Sequence, residues 1–181
     1  MKKILTLFAI GIMMTLCACG GQKRTAPQIE GLYTYEHAFG YQIDGNKLEV
    51  SESGTMDFYA DSNALDSARQ VYTALLKDGG TATYTFNYVS PSRWSRDGDN
   101  LHFAGIGDKF RMELIAMELA DCDSADAMRL ATTIISVIGN SIEYEYLFHI
   151  DTLSNDELRW SFTYSDGHSD TWCFERDKSS L

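Results

Sequence analysis

Apolar and polar side chains alternate along most of this chain. From Ser141 to Asp151, Ile142, Tyr144, Tyr146, Phe148 and Ile150 fall on one face, while Glu143, Glu145, His149 and Asp151 fall on the other. A period of two with one apolar face predicts a half-buried antiparallel strand, because successive side chains leave the backbone on opposite sides. Leu158, Trp160, Phe162 and Tyr164 repeat the pattern against Arg159, Ser161 and Thr163. Asp166-Gly167 supplies a turn, and Thr171 to Arg176 returns with Trp172 and Phe174 inward, so residues 141–176 predict a three-strand meander.

The first half follows the same rule. Gly54 to Ala60 sets Met56 and Phe58 against Thr55, Asp57 and Tyr59, and Phe110 to Met117 sets Phe110, Met112 and Leu114 against Arg111 and Glu113. Arg69–Leu76 and Thr81–Val89 flank Lys77-Asp78-Gly79-Gly80 and predict a hairpin, with Ala82, Tyr84, Phe86 and Tyr88 sharing a face of its second arm. Asp97-Gly98-Asp99-Asn100 predicts another turn. Residues 62–76 are also rich in good helix formers, so a helix there competes with the strand over 69–76 that the Gly-Gly turn favours. One helix is expected over about 124–138. Asp123 caps it, Asp126 suits its first turn, and Met128, Ala131, Ile135 and Ile138 form a stripe with Ala127 and Ile134 beside it. Gly139-Asn140 marks its stop. The expectation is a mainly β domain of about nine or ten antiparallel strands with one helix before the last three; closing such a sheet into a barrel pairs its edges.

The N-terminus departs from this alternation. Lys2 and Lys3 precede an apolar run from Ile4 to Thr15, which is too short to span the hydrocarbon core and reads as a secretory leader. Leu16-Cys17-Ala18-Cys19 resembles a lipobox, the site at which bacterial lipoprotein precursors are cut and acylated. The resemblance implies a leader over residues 1–18 and a diacylglyceryl thioether on Cys19. Two or three acyl chains, unlike one, hold a protein stably at a bilayer, so the membrane is the first partner implied. Gly20 to Gln28 has no apolar period and reads as a tether, giving a lipidated cysteine and tether over 19–28 and one domain over 29–177. Lys23 and Arg24 after the cysteine, and glycine rather than aspartate at position 20, point to an outer-membrane anchor in the cell envelope with the domain facing the periplasm.

The full chain of 181 residues carries a formal net charge of −11, and removing residues 1–18 takes two lysines and no acid, which leaves −13. Such a surface repels phosphate backbones and argues against a nucleic-acid partner. Cys122 and Cys173 remain as an even pair in an oxidising compartment, where a disulfide is expected and two buried free thiols are the alternative.

Other residues are similar to a known family. Ile29-Glu30-Gly31-Leu32-Tyr33 resembles the Gly-x-Trp opening of lipocalins, with Tyr33 in place of the tryptophan. Gly54-Thr55-Met56-Asp57-Phe58-Tyr59 looks like a strand unit of small bacterial envelope lipoproteins with lipocalin-like domains. Phe174-Glu175-Arg176 would place an arginine over the first-strand aromatic, as lipocalins do. The likeness spans about residues 29–177 and implies a lipocalin-like β-barrel. It departs from lipocalins in its helix, which precedes the last three strands rather than following the barrel.

No G-x-S-x-G, P-loop, H-E-x-x-H or C-x-x-C is present, so no catalytic residue, cofactor or metal site is assigned and a non-enzymatic role is expected. His149 and Asp151 near Glu143 and Glu145 match the polar face of a strand, and His168-Ser169-Asp170 a hairpin turn. The candidate binding set is Tyr84, Phe86, Tyr88, Tyr144, Tyr146, Phe148, Trp160 and Phe162, which either fill the barrel or line a cavity for a small apolar or amphiphilic ligand. The alternative is an interaction module with a solid core that meets an envelope protein through exposed apolar groups around Tyr35-Glu36-His37-Ala38-Phe39. The anchor has a direct test. Cys19→Ser should move the protein from the detergent phase to the aqueous phase on phase separation of cell extracts, whereas unchanged partitioning would exclude acylation at Cys19.

Overall fold

The structure is a computed structural model that describes residues 28–77, 79–142, 144–165 and 167–180. The expected leader, Cys19 and the expected tether as far as Pro27 lie outside the described residues, as do Asp78, Glu143 and Asp166 of the expected turns and strand. Nine strands and one helix follow in order: β1 (Gly31–Ile43), β2 (Asn46–Phe58), β3 (Asn63–Leu75), β4 (Thr81–Asp97), β5 (Asn100–Gly105), β6 (Arg111–Ala120), α1 (Ser124–Ser141), β7 (Glu145–Leu153), β8 (Glu157–Thr163) and β9 (Ser169–Arg176). Every pairing is antiparallel. β1 to β5 and then β7 to β9 pair in a ring that returns to β1, an eight-stranded closed barrel. The ring and its packed interior are built from residues between Ile29 and Arg176.

The ninth strand follows from the length of β4. Its first half, Thr81–Val89, pairs with β6, and its second, Ser92–Asp97, pairs with β5. A bulge opposite Thr85 and Phe86 leaves Ile115 unpaired and half exposed, which is where the alternation of Phe110–Met117 breaks. The first hairpin is longer than the alternation predicts. β1 and β2 pair from Gly31↔Phe58 to Ile43↔Asn46, around Asp44-Gly45. Residues 63–75 are strand, not helix, because β3 is paired on both sides, to β2 and to β4, which overrides helix propensity.

The helix stands where the stripe and cap predict it, with two corrections. It runs one turn further, to Ser141; Gly139 keeps an ordinary helical φ and packs near the Phe110 ring, while Ser141 Oγ donates to the Ile138 carbonyl at 2.7 Å. The buried face is also rotated by about one residue. Ala127, Leu130, Ala131 and Ile134 face inward, and Met128 is 47% exposed. This face seats on Tyr72, Tyr84 and Phe86, and Tyr84 donates to the Ala127 carbonyl at 2.9 Å. Asp123 caps the first turn by accepting from Ala125 N at 2.8 Å and Asp126 N at 3.2 Å.

The ring closes through a short seam. β1 and β9 share only Tyr33↔Arg176, Thr34↔Glu175 and Tyr35↔Phe174. Arg176 reinforces it. Its guanidinium lies 4.7 Å from the Tyr33 ring centroid and donates to the Tyr33 hydroxyl, to Glu30 O at 2.6 Å and to Gln28 O at 2.7 Å. The arginine therefore lies over the first-strand aromatic. Gly31 makes room for it: at φ +131°, a Cβ there would fall 2.6 Å from Arg176 Nη1.

Cys122 and Cys173 are not bonded, contrary to expectation. Cys122 follows β6 and sits against the start of β4, with Sγ 3.4 Å from Thr81 O, whereas Cys173 is exposed on β9 opposite Arg159 of β8. β6 lies outside the ring and pairs with β4, whereas β9 sits in the ring between β1 and β8, so the topology keeps the two cysteines apart.

Gly54 governs how tightly β2 and β3 cross. A Cβ there would lie 2.5 Å from Ser67 O and 2.8 Å from Ala68 Cα, both backbone atoms that cannot swing aside. Gly54→Ala should therefore lower stability by about 2–3 kcal/mol through overpacking, read as a fall in the urea midpoint.

Candidate functional site

Along the inner faces of β2 and β3 the apolar register is interrupted. On β2, Leu48 and Val50 are followed by Glu52, Gly54, Met56 and Phe58. On β3, Asp66 and Gln70 stand among Ala64, Ala68 and Tyr72. Two apolar clusters result, one around Phe58, Trp160 and Phe174 and the other beneath α1 around Tyr72, Tyr84 and Phe86. The carboxyls lie close to where the clusters meet, beside a cavity of about 390 Å³.

Rings and carboxyls share the cavity wall. Tyr35, Tyr88, Phe103, Phe148, Trp160 and Phe174 supply rings, while Glu52, Asp66 and Gln70 supply polar groups. Ile138 and Ser141 from the last turn of α1 and Asp170 and Trp172 from β9 complete it. β1 and β9 have parted here. Beyond Tyr35 the two strands no longer pair, and His37 instead packs at a tilt of 33° against Trp172 with centroids 4.5 Å apart. Burial pushes the His37 imidazole below its usual pKa, against the opposing effect of the Asp170 charge.

The polar groups form one connected chain. Tyr72 Oη donates to Gln70 Oε1 at 2.9 Å, and Gln70 Nε2 donates to Glu52 Oε1 at 3.1 Å. Tyr35 Oη lies 2.9 Å from Glu52 Oε1 and 2.7 Å from Asp66 Oδ1. A phenol has one proton to give. Both contacts are hydrogen bonds only when one carboxyl is itself protonated and donates to the phenol oxygen. The electrostatics agree. Desolvation raises the Glu52 pKa against the hydrogen bonds from Gln70 and Tyr35, and raises that of Asp66 further, with the Glu52 charge adding to it. Tyr35 is held firmly protonated by burial and by the Asp66 and Glu52 charges.

Of the residues expected to line a ligand site, Tyr88, Tyr146, Phe148, Trp160 and Phe162 line this cavity. Tyr84 and Phe86 do not; they are fully buried as the seat of α1. Tyr144 precedes β7 and is 67% exposed. The stretch expected to expose apolar groups for a partner turns them inward, since Tyr35 is 6% exposed and Phe39 lines the cavity. Glu52 and Asp66 were missed. The available signal is an acid at an inward position of an alternating strand, visible only once β2 extends back to Asn46 and β3 back to Asn63.

No protein-family model and no curated protein sequence matches this chain.

The half-buried carboxyl pair makes stability depend on pH. A carboxyl whose pKa is higher folded than unfolded binds an extra proton in the folded state. Its contribution is therefore present near pH 4 and is lost as pH rises through the folded value. In Asp66→Asn, the amide can donate to the Tyr35 oxygen while Tyr35 donates to ionised Glu52, so no shared proton is needed. The variant should match the parent near pH 4 and exceed it by on the order of 1 kcal/mol at pH 7, read from urea midpoints across that range.

Proposed function

We propose that this protein is a cell-envelope lipoprotein whose lipocalin-like barrel binds one small amphiphilic molecule. In this reading the leader over residues 1–18 is removed, acyl chains on Cys19 hold the chain at the outer membrane, and residues 20–28 tether the barrel on the periplasmic side. The observation that carries the binding role is the cavity of about 390 Å³, which falls within the range of small-molecule sites. Its wall is of the kind such sites use, mostly apolar and aromatic surface with a few convergent polar groups. A barrel serving only as a scaffold would gain by filling this space, since packing across it would add contacts that a void forgoes.

The position of the cavity supports the same reading. It lies beside the stretch where β1 and β9 part, so entry does not require the ring hydrogen bonds to break. Tyr33, Arg176 and Gly31, the residues behind the lipocalin resemblance, form the seam rather than the wall. They fix the shape of the barrel, and the inner faces of β2, β3 and β7 to β9 set what it holds.

Residues 20–181, purified without the leader, should bind the neutral fluorophore N-phenyl-1-naphthylamine saturably at one site per chain. Ser92→Leu, which places a larger side chain in the cavity wall, should weaken that binding by about tenfold or more with unchanged far-ultraviolet circular dichroism. Absence of saturable binding by the parent would overturn the role.

A further inference from the structure

Three acids, Glu52, Asp66 and Asp170, line the cavity, and no Lys, Arg or His does among the described residues. Neither Glu52 nor Asp66 forms an ion pair with a basic residue among those described. The nearest arginine in sequence, Arg69 on β3, is exposed and points away from the inner face. Ionised carboxyls removed from water are costly without a counter-charge. Here the protein supplies only a phenol and an amide, and one phenol set between two carboxyl oxygens calls for a proton on one of the acids.

We infer that the ligand carries a cationic head, a primary or secondary ammonium seated between Glu52 and Asp66, with its apolar body against Phe148, Trp160 and Phe174. This deepens the binding role proposed above and rests on it. An ammonium offers two or three N–H donors to a site rich in acceptors, and the surrounding ring faces attract cations rather than anions. A carboxylate or phosphate head would instead stand beside two acids with no donor of positive charge, a like-charge contact. The wall also holds a donor without a partner. Trp160 is 3% exposed, and its indole N–H finds no acceptor among the described residues. Being a donor, that N–H calls for an acceptor other than the ammonium head, such as water.

Charge balances as an exchange. In the free protein the pair carries one proton and one negative charge. As the ammonium enters, the carboxyl proton leaves to solvent, both carboxylates bond the N–H groups, and the cavity keeps the same net charge. The other titratable groups facing the pair are Tyr35 on β1, Tyr72 on β3, Tyr88 on β4 and Tyr146 on β7, with Asp170 at the β9 side. Burial raises the pKa of Tyr35, Tyr72 and Tyr88. These phenols hold their protons more firmly than usual, so the proton released comes from the carboxyl pair.

Three probes of one chain length separate the head from the body: n-octylamine, 1-octanol and octanoate, each displacing N-phenyl-1-naphthylamine from residues 20–181 at pH 7. The amine should displace at a concentration at least tenfold below that of the alcohol, with octanoate the weakest. Glu52→Gln combined with Asp66→Asn should bring the amine to the alcohol's level and leave the alcohol unchanged; Asp66→Asn alone serves if the double variant does not fold. Calorimetry in buffers of different ionisation enthalpy should show about one proton released per amine bound. An amine no better than the alcohol, an advantage that survives the substitutions, or binding without proton release would overturn the inference while leaving the binding role intact. If neither fluorophore nor alcohol binds, both fall.

Discussion

The architecture depends on how little of β1 and β9 is joined. Eight strands must return on themselves to leave no edge, and here the return is made across three residue pairs. Arg176 makes so short a seam sufficient. One guanidinium lies beside the Tyr33 ring, bonds its hydroxyl and takes up two carbonyls of the segment leading into β1. These donors are charged and are shared among three oxygens, so each hydrogen bond is stronger than a neutral one. Because pairing stops at Tyr35, the barrel is packed at the seam and parted beyond it, and the cavity lies beside the parting.

The helix and β6 answer a complementary problem. β4 is too long for one neighbour on each side, and its first half would be a bare edge if β5 alone paired with it. β6 takes that edge, and α1 turns back to cover Tyr84 and Phe86. The cost falls on the candidate ligand set, since two of the aromatic residues that look like cavity lining are used to seat a helix. The last turn of α1 then contributes Ile138 and Ser141 to the cavity wall. One element thus closes the core on one side and shapes the pocket on the other.

The barrel was legible in the alternation, and so were the last two strands of the meander, because Trp160, Phe162, Trp172 and Phe174 mark the inward face; its first strand begins at Glu145 rather than Ser141, since α1 runs on to Ser141 and leaves Tyr144 exposed. The barrel's closure pattern was less legible: nothing local marks β6 as paired with β4 alone, since that follows from strand lengths set across the whole ring. The long β1–β2 hairpin escaped because His37, Asn46 and Glu52 stand at inward positions and Ala38 at an outward one, which blurs the alternation over residues 36–52. The helix's N-terminal cap was readable from Asp123, but its inward face was not, because which of two adjacent stripes is buried depends on the sheet it meets. The polar half of the site was hidden for a related reason. An acid inside a barrel contradicts the rule by which strands are recognised, so the residues that give the cavity its character are also the ones that obscure the strands carrying them.

The Arg176 clasp has a mechanical side. The carbonyls it grips belong to Gln28 and Glu30, where the chain emerges from whatever precedes the barrel. Tension on that segment does not begin by peeling β1 from β2. It loads a guanidinium rooted in the last strand, so the two ends of the domain resist a pull together. A body on a leash at its N-terminus would carry strain at the joint where its first and last strands meet.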